Sequence, residues 1–227
     1  MTRRATHLLT GAGSGIGAAL ARRLHDRGDE LVLLARNGDR ADELAAAYPG
    51  ARSLVADLAA PAAVSGLDLP DRLDTVVHSA GIVEVAAVAD TDPQSLAGTV
   101  TVDLIAPMLL TRAVLQAVRA TQGTHVFVNS GSGLRANPQW ASYNAAKFGL
   151  RGFADALRQE EQPFGVRVST IYPGRTATPM QEQVHAQEGK EYDADAWIRP
   201  DTVVDAILHV LDLPDDATIP DLVVRPR

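Results

Sequence analysis

The sequence predicts a single α/β domain with a doubly wound, mostly parallel sheet of seven strands and helices on both faces. Two observations favour this fold. Short apolar, β-branched runs alternate with longer helical patterns along the whole chain, and the runs are nearly continuous in Val, Leu and Ile. Such strands are typical of parallel sheets covered on both faces. The 227 residues contain neither an internal repeat nor a Gly/Ser-rich linker, so residues 1–227 are expected to form one domain.

The elements follow one another in a regular order. Strand-like runs occupy residues 5–10, 30–35, 51–56, 74–79, 124–129, 166–171 and 221–226. Helical patterns, in which apolar residues recur at intervals of three or four, occupy residues 15–28, 38–50, 92–123, 141–161 and 200–213. One polar, acidic stretch, 177–199, looks irregular, and we predict that it is a substrate lid, because long irregular segments in compact domains are often functional.

Composition excludes several classes of function. The net charge of −7 argues against nucleic acid or an anionic membrane as the main partner. The absence of cysteine excludes disulfides and thiolate metal sites. No metal-binding or hydrolase motif is present, and the six histidines are scattered, so no metal site is expected. The N-terminal apolar stretch is too short for a signal sequence and no 18-residue apolar run exists, which predicts a cytoplasmic protein.

A glycine-rich loop follows the first predicted strand and precedes the first predicted helix. Thr10–Gly17 reads TGAGSGIG, and its glycines allow a sharp turn that brings a pyrophosphate to the helix N-terminus. A merely flexible loop is the alternative, but the strand–turn–helix context favours dinucleotide binding and a Rossmann-like fold.

The end of the second strand suggests which dinucleotide is bound. At the position where an acidic residue would contact a ribose 2′-hydroxyl, the chain has Ala35 followed by Arg36, with Arg40 one helical turn further on. A guanidinium favours a 2′-phosphate, so we predict NADP(H) rather than NAD(H). Arg36 could instead be a solvated surface charge.

Tyr143 and Lys147 lie four residues apart in the fourth predicted helix, and therefore on one face of it. Alone, this spacing is also compatible with a solvated pair. Together with the glycine loop it resembles a classical short-chain dehydrogenase/reductase, and the resemblance extends from about Thr6 to Arg225. It also includes Ser130, 13 residues before the tyrosine, the Pro173–Gly174 turn with Thr178, and Asp57 after the third strand.

This resemblance implies a mechanism in which Tyr143 exchanges a proton with the substrate oxygen, Ser130 holds that oxygen, and Lys147 lowers the pKa of the tyrosine and binds the nicotinamide ribose. Ser132 is interpreted as a turn residue. The implied cofactor-binding residues are Thr10, Gly11, Ser14, Gly15, Ile16, Gly17, Arg36, Asp57, Leu58, Ala80, Gly81, Tyr143, Lys147, Pro173, Gly174, Thr176 and Thr178.

The chain departs from the family pattern at two positions. Ser79 replaces an asparagine after the fourth strand, and Asp103 replaces the asparagine that is the family's fourth catalytic member. An ionised carboxylate near Lys147 would favour the charged ammonium and partly oppose proton transfer, so we predict an active enzyme with a shifted pH dependence. The alternative, which is equally open, is that Asp103 is only a polar residue at a helix kink.

The candidate substrate-binding residues are Asn137, Trp140 and Met180, with Trp197 as either a pocket wall or a cover of the core edge. The negative charge of the lid disfavours an acidic substrate unless Arg135 or Arg175 faces inward. The resemblance also implies a homodimer or homotetramer. Leu109, Ala113 and Ala117 could form the pairing face, or could equally face the sheet.

These expectations converge on an NADP(H)-dependent oxidoreductase that acts on a small carbonyl/alcohol pair. One alternative is a nucleotide-bound epimerase or dehydratase, but such relatives are usually longer, with a separate substrate domain. The other is a non-catalytic dinucleotide-binding regulator on the same fold. The joint presence of Ser130, Tyr143 and Lys147 argues against it, whereas Ser79 and Asp103 argue mildly for it.

Overall fold

The computed structural model describes residues 4–227 and has the predicted architecture of a parallel sheet between two layers of helices. Its seven strands are β1 (Thr6–Thr10), β2 (Glu30–Ala35), β3 (Arg52–Val55), β4 (Thr75–His78), β5 (Thr124–Val128), β6 (Arg167–Pro173) and β7 (Asp221–Val224). Its α-helices are α1 (Gly15–Asp26), α2 (Gly38–Ala47), α3 (Pro93–Val100), α4 (Ala106–Arg119), α5 (Ala141–Glu161), α6 (Pro179–Gln187) and α7 (Pro200–Leu211).

The strand order is β3-β2-β1-β4-β5-β6-β7. All six strand pairings are parallel, so the sheet is wholly rather than mostly parallel in the part of the chain that the structure describes. The chain runs outward from β1 in one direction and then, from β4, in the other. Ligands of such sheets bind where the order reverses, outside the carboxyl ends of the strands.

The core consists of two apolar layers, because successive strand residues point to opposite faces of the sheet. Leu9, Leu33 and Val77 lie in a cluster that also contains residues of α1, α2 and α7. Their neighbours Leu8 and Val76 lie in a second cluster, with residues of α4. A third cluster joins Phe127 to α5. This packing fixes the carboxyl ends of the strands, and with them the loops that carry the functional residues.

The helical pattern predicted over residues 92–123 forms α3 and α4, joined by the π-helical turn Thr101–Ile105. By length and composition alone, the run Pro93–Arg119 could cross a membrane. One side of α4, including Leu110 and Val114, is buried against the sheet. A helix covering the core of a soluble protein passes the same test.

The prediction that residues 177–199 are irregular was wrong. The segment contains α6 and the 3-10 turn Ala194–Ala196. The Thr178 side chain caps α6 by accepting a hydrogen bond from the Gln181 backbone N–H, and Pro179 occupies the first turn. Because the sequence of α6 is mostly polar, it did not indicate this short helix, which is buried on only one side.

Candidate active site

A cleft of about 1230 Å³ opens at the carboxyl ends of the central strands. The glycine loop, Arg36 and Asp57 line one end of it. Ser130, Tyr143 and Lys147 lie further along, where the substrate would meet the cofactor. Every predicted cofactor-binding residue except Thr10 lines this cleft, as do the predicted substrate residues Asn137, Trp140 and Met180.

The glycine loop has the tight backbone that its composition predicts. Gly11 and Gly15 have φ values of +72° and +53°, a region that side chains disfavour. A Cβ at Gly17 would lie 2.3 Å from the Gly11 carbonyl oxygen, so only glycine fits where α1 packs on the loop. Within the described part of the chain, the Ser14 side chain makes no capping hydrogen bond, which leaves the N-terminal N–H groups of α1 for an anion.

Thr10, predicted as a cofactor-binding residue, lies behind the cleft rather than on its surface. Its hydroxyl accepts hydrogen bonds from the backbone N–H groups of Ser79 and Ala80, each at 3.1 Å. The Ser79 hydroxyl in turn donates to the Thr10 carbonyl oxygen. Ser79 therefore ties the end of β4 to β1, so that this departure from the family pattern still supports the strand.

Arg36 is an exposed residue directly after β2, and both Arg36 and Arg40 line the cleft. Arg40 lies close to the loop, since a Cβ at Gly13 would be 2.7 Å from its Nε atom. Glu43 forms an ion pair with Arg40. Asp57 accepts a hydrogen bond from the Ala59 backbone N–H at 2.9 Å, which orients its carboxylate at the cleft edge. This end of the cleft combines two guanidiniums with an Asp carboxylate.

The three predicted catalytic side chains converge on one point of the cleft. Ser130 follows β5, whereas Tyr143 and Lys147 lie in the first two turns of α5 and are 6% and 4% exposed. The Ser130 side chain lies close enough to the Tyr143 hydroxyl to act on its pKa, which it lowers. The Lys147 Nζ atom lies 5.3 Å from the centre of the Tyr143 ring. A hydroxyl, a phenol and an ammonium therefore share one partly enclosed site.

Asn129 fixes the position of Ser130 relative to Lys147, a role that the sequence motifs did not reveal. Its side-chain amide donates to the Lys147 carbonyl oxygen at 3.0 Å, and its Oδ1 atom accepts from the Ser130 N–H at 2.8 Å. The Ser130 hydroxyl accepts the Ser132 N–H at 3.1 Å, as expected if Ser132 is a turn residue. The asparagine immediately before Ser130 was the only available signal.

The pKa of Tyr143 is raised above its ordinary value, although Lys147 acts to lower it, as the resemblance implies. Burial is the largest cause, and the Asp103 carboxylate raises it further. Lys147 and the Ser130 side chain lower it, but by less than burial raises it. The burial comes partly from Val83 and from Val184 of α6, which form one apolar cluster with the tyrosine.

Asp103 lies behind Lys147 rather than on the cleft surface. Its Oδ2 atom is 3.1 Å from Lys147 Nζ, and its Oδ1 atom accepts the Ile82 N–H at 2.8 Å. Burial raises the pKa of Asp103, and Lys147 opposes this effect. Burial also acts to lower the pKa of Lys147, but Asp103 and Tyr143 together raise it above its ordinary value. The ammonium is thus held in its charged form by a buried carboxylate.

The substrate end has walls that the sequence could only partly identify. Trp140 packs edge-on against Tyr143, with ring centres 5.7 Å apart. Arg175 lines the cleft and forms an ion pair with Glu188, while Arg135 is exposed and lies outside the lining. Trp197 also lies outside the lining, against His185 of α6.

A nicotinamide dinucleotide fits this site by the shape and chemistry of the residues present. Gly13 and Gly15 line the cleft without side chains, and the N–H groups of α1 suit a pyrophosphate. Arg36, Asp57, Ala80 and Lys147 are placed along one continuous cleft with donors and acceptors for ribose and phosphate groups.

Comparisons with known proteins agree with the motifs. The family model described as short chain dehydrogenase matches residues 5–189. An uncharacterised short-chain type dehydrogenase/reductase of Sinorhizobium fredii is 30% identical over 231 residues, which cover 100% of this chain and 93% of the relative.

Two solved structures share the fold over almost the whole chain. An oxidoreductase of the short chain dehydrogenase/reductase family from Burkholderia thailandensis has a TM-score of 0.85 and 31% identity, covering 98% of this chain and 92% of that one. A metagenomic short-chain oxidoreductase in complex with NADP has a TM-score of 0.78 and 28% identity, covering 98% of this chain and 97% of that one.

Proposed function

Because the chain belongs to the short-chain dehydrogenase/reductase family of oxidoreductases, we propose that it is an NADP(H)-dependent enzyme that interconverts a carbonyl and an alcohol. The observation that carries this proposal is the convergence of Ser130, Tyr143 and Lys147 on a cleft whose other end is a glycine-rich dinucleotide cradle. When bound, the nicotinamide supplies or accepts the hydride.

The side chains of this site supply the proton and orient the substrate. During reduction, the Tyr143 hydroxyl donates its proton to the substrate oxygen, and during alcohol oxidation the phenolate accepts one. Ser130 donates a hydrogen bond to the same oxygen and stabilises negative charge that develops on it. Lys147 opposes the effect of burial on Tyr143 and so favours the phenolate. Asn129 keeps Ser130 and Lys147 in position.

The preference for NADP(H) is proposed from Arg36 and Arg40. Both line the dinucleotide end of the cleft, and residue 35, where an acid would select a 2′-hydroxyl, is alanine. A guanidinium would bind a 2′-phosphate through charge-assisted hydrogen bonds. Related structures contain NADP in the metagenomic oxidoreductase and NADH in a 4-hydroxyisoleucine dehydrogenase, so the choice rests on Arg36 and Arg40.

A titration of the purified protein with NADPH and with NADH, followed by reduced-nicotinamide fluorescence, tests this proposal. We expect tighter binding of NADPH, and we expect Arg36→Gln to weaken NADPH binding by about tenfold, since one charge-assisted contact is worth about 1.5–3 kcal/mol. Arg72→Gln removes an exposed charge outside the cleft and is the matched control. Tighter binding of NADH by the wild type would refute the NADP preference but leave the oxidoreductase proposal intact.

A non-catalytic dinucleotide-binding regulator is the second candidate, favoured by the charge that Asp103 imposes on Lys147. Such a protein would bind the cofactor without turning over any carbonyl compound. A carbonyl screen in which Tyr143→Phe serves as the blank separates the two, because only an enzyme loses activity through that substitution.

We further propose that the protein acts in the cytoplasm as a homodimer or homotetramer. Leu96, Ile105 and Met108 on the α3–α4 helix and Phe148 on α5 are each 39–44% exposed and form apolar positions for such pairing. Of the residues first considered for this face, Ala117 is buried in the core and does not qualify. Light scattering of the purified protein would establish the number of subunits.

A further inference from the structure

Arg175 is a cation that lines the cleft at the substrate end, as does Lys190. Arg175 follows the Pro173–Gly174 turn after β6, and its guanidinium carbon lies 5.8 Å from the centre of the Trp140 ring and 5.4 Å from that of Trp197. The two indoles fix the position of the guanidinium next to the wall of the catalytic tyrosine. A free arginine at this point would attract carboxylate-bearing substrates.

Glu188, at the end of α6, forms an ion pair with Arg175. The Nη1 atom of Arg175 lies 3.1 Å from Oε2 of Glu188, and its Nη2 atom lies 2.6 Å from Oε1. This is the bidentate geometry that guanidinium offers to a carboxylate. The hydrogen bonds from Arg175 are the largest cause that holds the pKa of Glu188 below its ordinary value, so the pair is charged at neutral pH.

Exposure determines which charges an incoming substrate meets. The side chain of Glu188 is 8% exposed, whereas Lys190, its second partner at 3.0 Å, is 61% exposed. Solvent screens the lysine charge most strongly, while the Arg175–Glu188 pair, whose arginine side chain is 30% exposed, is internally neutral. The segment 177–199 around it carries five acidic and two basic residues. A substrate carboxylate would compete with Glu188 for the arginine and would lie next to a second negative charge.

Much of the remaining wall of this end is apolar, and the polar residues Asn137, Gln139, Gln181 and Lys190 also line the cleft. Ile82, Val83, Trp140, Met180 and Val184 line it beside Tyr143. These side chains bury an apolar or aromatic body, and they provide no polar group that would compensate a charged one.

We infer that Glu188 is a specificity-determining residue: by neutralising Arg175 it makes the cleft select uncharged carbonyl compounds with an apolar body and reject those that carry a carboxylate. The inference rests on the proposed function, because it names the substrate class of the same site. Glu188 acts through Arg175 and takes no part in the proton transfer.

Two aldehydes of nearly equal size test the inference, 4-methylbenzaldehyde and 4-carboxybenzaldehyde. Their dissociation constants are measured in the presence of NADPH through tryptophan fluorescence, since the only two tryptophans of the chain flank Arg175. Their kcat/KM values are measured in parallel through NADPH consumption. We expect the wild type to favour the methyl compound in both measurements.

Glu188→Gln keeps the size of the side chain and one acceptor for Arg175 but releases its positive charge. We expect it to raise the kcat/KM ratio of the carboxylate to the methyl compound by about tenfold or more, since one charge-assisted hydrogen bond is worth about 1.5–3 kcal/mol. Adding Arg175→Met should abolish the gain. Glu182→Gln removes an exposed charge from the same helix and should leave the ratio unchanged.

Three results would overturn the inference: a wild type that binds the carboxylate more tightly, an unchanged ratio in Glu188→Gln, or an equal loss for both aldehydes. The last would indicate that the pair only clamps α6. If the binding ratio changes as expected but neither aldehyde is reduced, the selectivity inference stands and the proposed function fails.

Discussion

Lys147 and Asp103 form a buried ion pair at the centre of the site, with side-chain exposures of 4% and 0%. Burial disfavours both charges, and their mutual attraction at 3.1 Å opposes that cost. Asp103 acts to raise the pKa of Lys147, so the ion pair keeps the lysine side chain protonated. Asp103 therefore bears on the acid–base behaviour of the site without touching the cleft.

The substitution Asp103→Asn tests this effect. The oxygen of the new amide can still accept the Ile82 N–H, so the local structure should persist. Because Asp103 raises the pKa of both Tyr143 and Lys147, its neutralisation should lower both. Alcohol oxidation requires the phenolate, so the ascending limb of its pH–rate profile should move to lower pH. An unchanged profile would mean that Asp103 is only a structural residue at the helix distortion.

Replacing Tyr143 with phenylalanine removes the proposed acid and keeps the ring. We expect kcat to fall by about 10²–10⁴-fold, the usual contribution of a positioned acid or base. NADPH affinity and the unfolding midpoint should change little, since the ring still packs against Val83 and Val184. Steady-state kinetics and a fluorescence titration measure the two effects. Full activity in this variant would rule out Tyr143 as the proton donor.

The sequence identified individual site residues where a short motif carries the chemistry. The spacing of Tyr143 and Lys147 placed both on one helix face, and the resemblance to the short-chain dehydrogenase/reductase family then implied their roles and that of Ser130. The direction in which the pKa of Tyr143 is shifted could not be predicted from motifs. The burial of this tyrosine depends on Val83 and Val184, which are far from it along the chain. The Arg175–Glu188 pair was missed for a similar reason, since a helix separates its members.

The π-helical turn between α3 and α4 contains Asp103, the residue whose carboxylate pairs with Lys147. Pro107, the second residue of α4, has no backbone N–H and cannot donate to the carbonyl oxygen of Asp103, four residues earlier. The chain widens there, and the Ala106 N–H bonds to the Thr101 carbonyl instead. The sequence predicted one helix with a kink, but which hydrogen bonds change depends on packing against α5 and the sheet.

The glycine loop leads to a prediction about α1. Gly17→Ala would place a methyl group 2.3 Å from the Gly11 carbonyl oxygen, so α1 must move away from the loop. We expect the free energy of unfolding to fall by about 1–3 kcal/mol and NADPH binding to weaken at least about tenfold. Urea unfolding and titration measure both. Gly38→Ala, where nothing lies within 4 Å, is the control and should be nearly neutral; equal effects in the two variants would contradict the steric argument.

The strongly periodic helices were predictable because each buries one continuous stripe, and the central β-branched strands because they are buried on both faces. The short α6 was not, since few of its residues are buried and its sequence is mostly polar. Thr178 followed by Pro179 was a usable helix-start signal. The prediction of an irregular segment was based on its polar sequence, and polarity does not distinguish an irregular segment from a thinly buried helix; the substrate lid stays a prediction.

For the molecule as a whole, buried histidines in the sheet predict loss of stability in acid. His125 is 0% exposed, both of its ring nitrogens lack a hydrogen-bond partner within residues 4–227, and burial lowers its pKa from 6.5 to about 4. Burial, and then the neighbouring His125, lowers the pKa of His78 as well. Between these values the unfolded chain binds more protons than the folded one, so stability is full above about pH 6.5 and falls as the pH decreases towards 4.

His125→Leu should flatten this dependence. The histidine costs up to about 3 kcal/mol of unfolding free energy between pH 6.5 and 4, from its shift to about 4. Urea unfolding at a series of pH values would detect the change as a smaller drop in midpoint. His209→Gln, at an exposed position of α7, should retain the wild-type slope. Equal slopes for His125→Leu and the wild type would show that other groups cause the acid sensitivity.

The strand order also bears on how the chain can assemble during synthesis. β2 and then β3 join the sheet on one side of β1, and β4, β5, β6 and β7 join in that order on the other. When each strand is synthesised, the strand that it pairs with on the side nearer β1 has therefore already been synthesised. No strand has to be inserted between two strands that have already paired. The sheet can therefore grow strand by strand during synthesis, with β7 as the last of the seven strands to join.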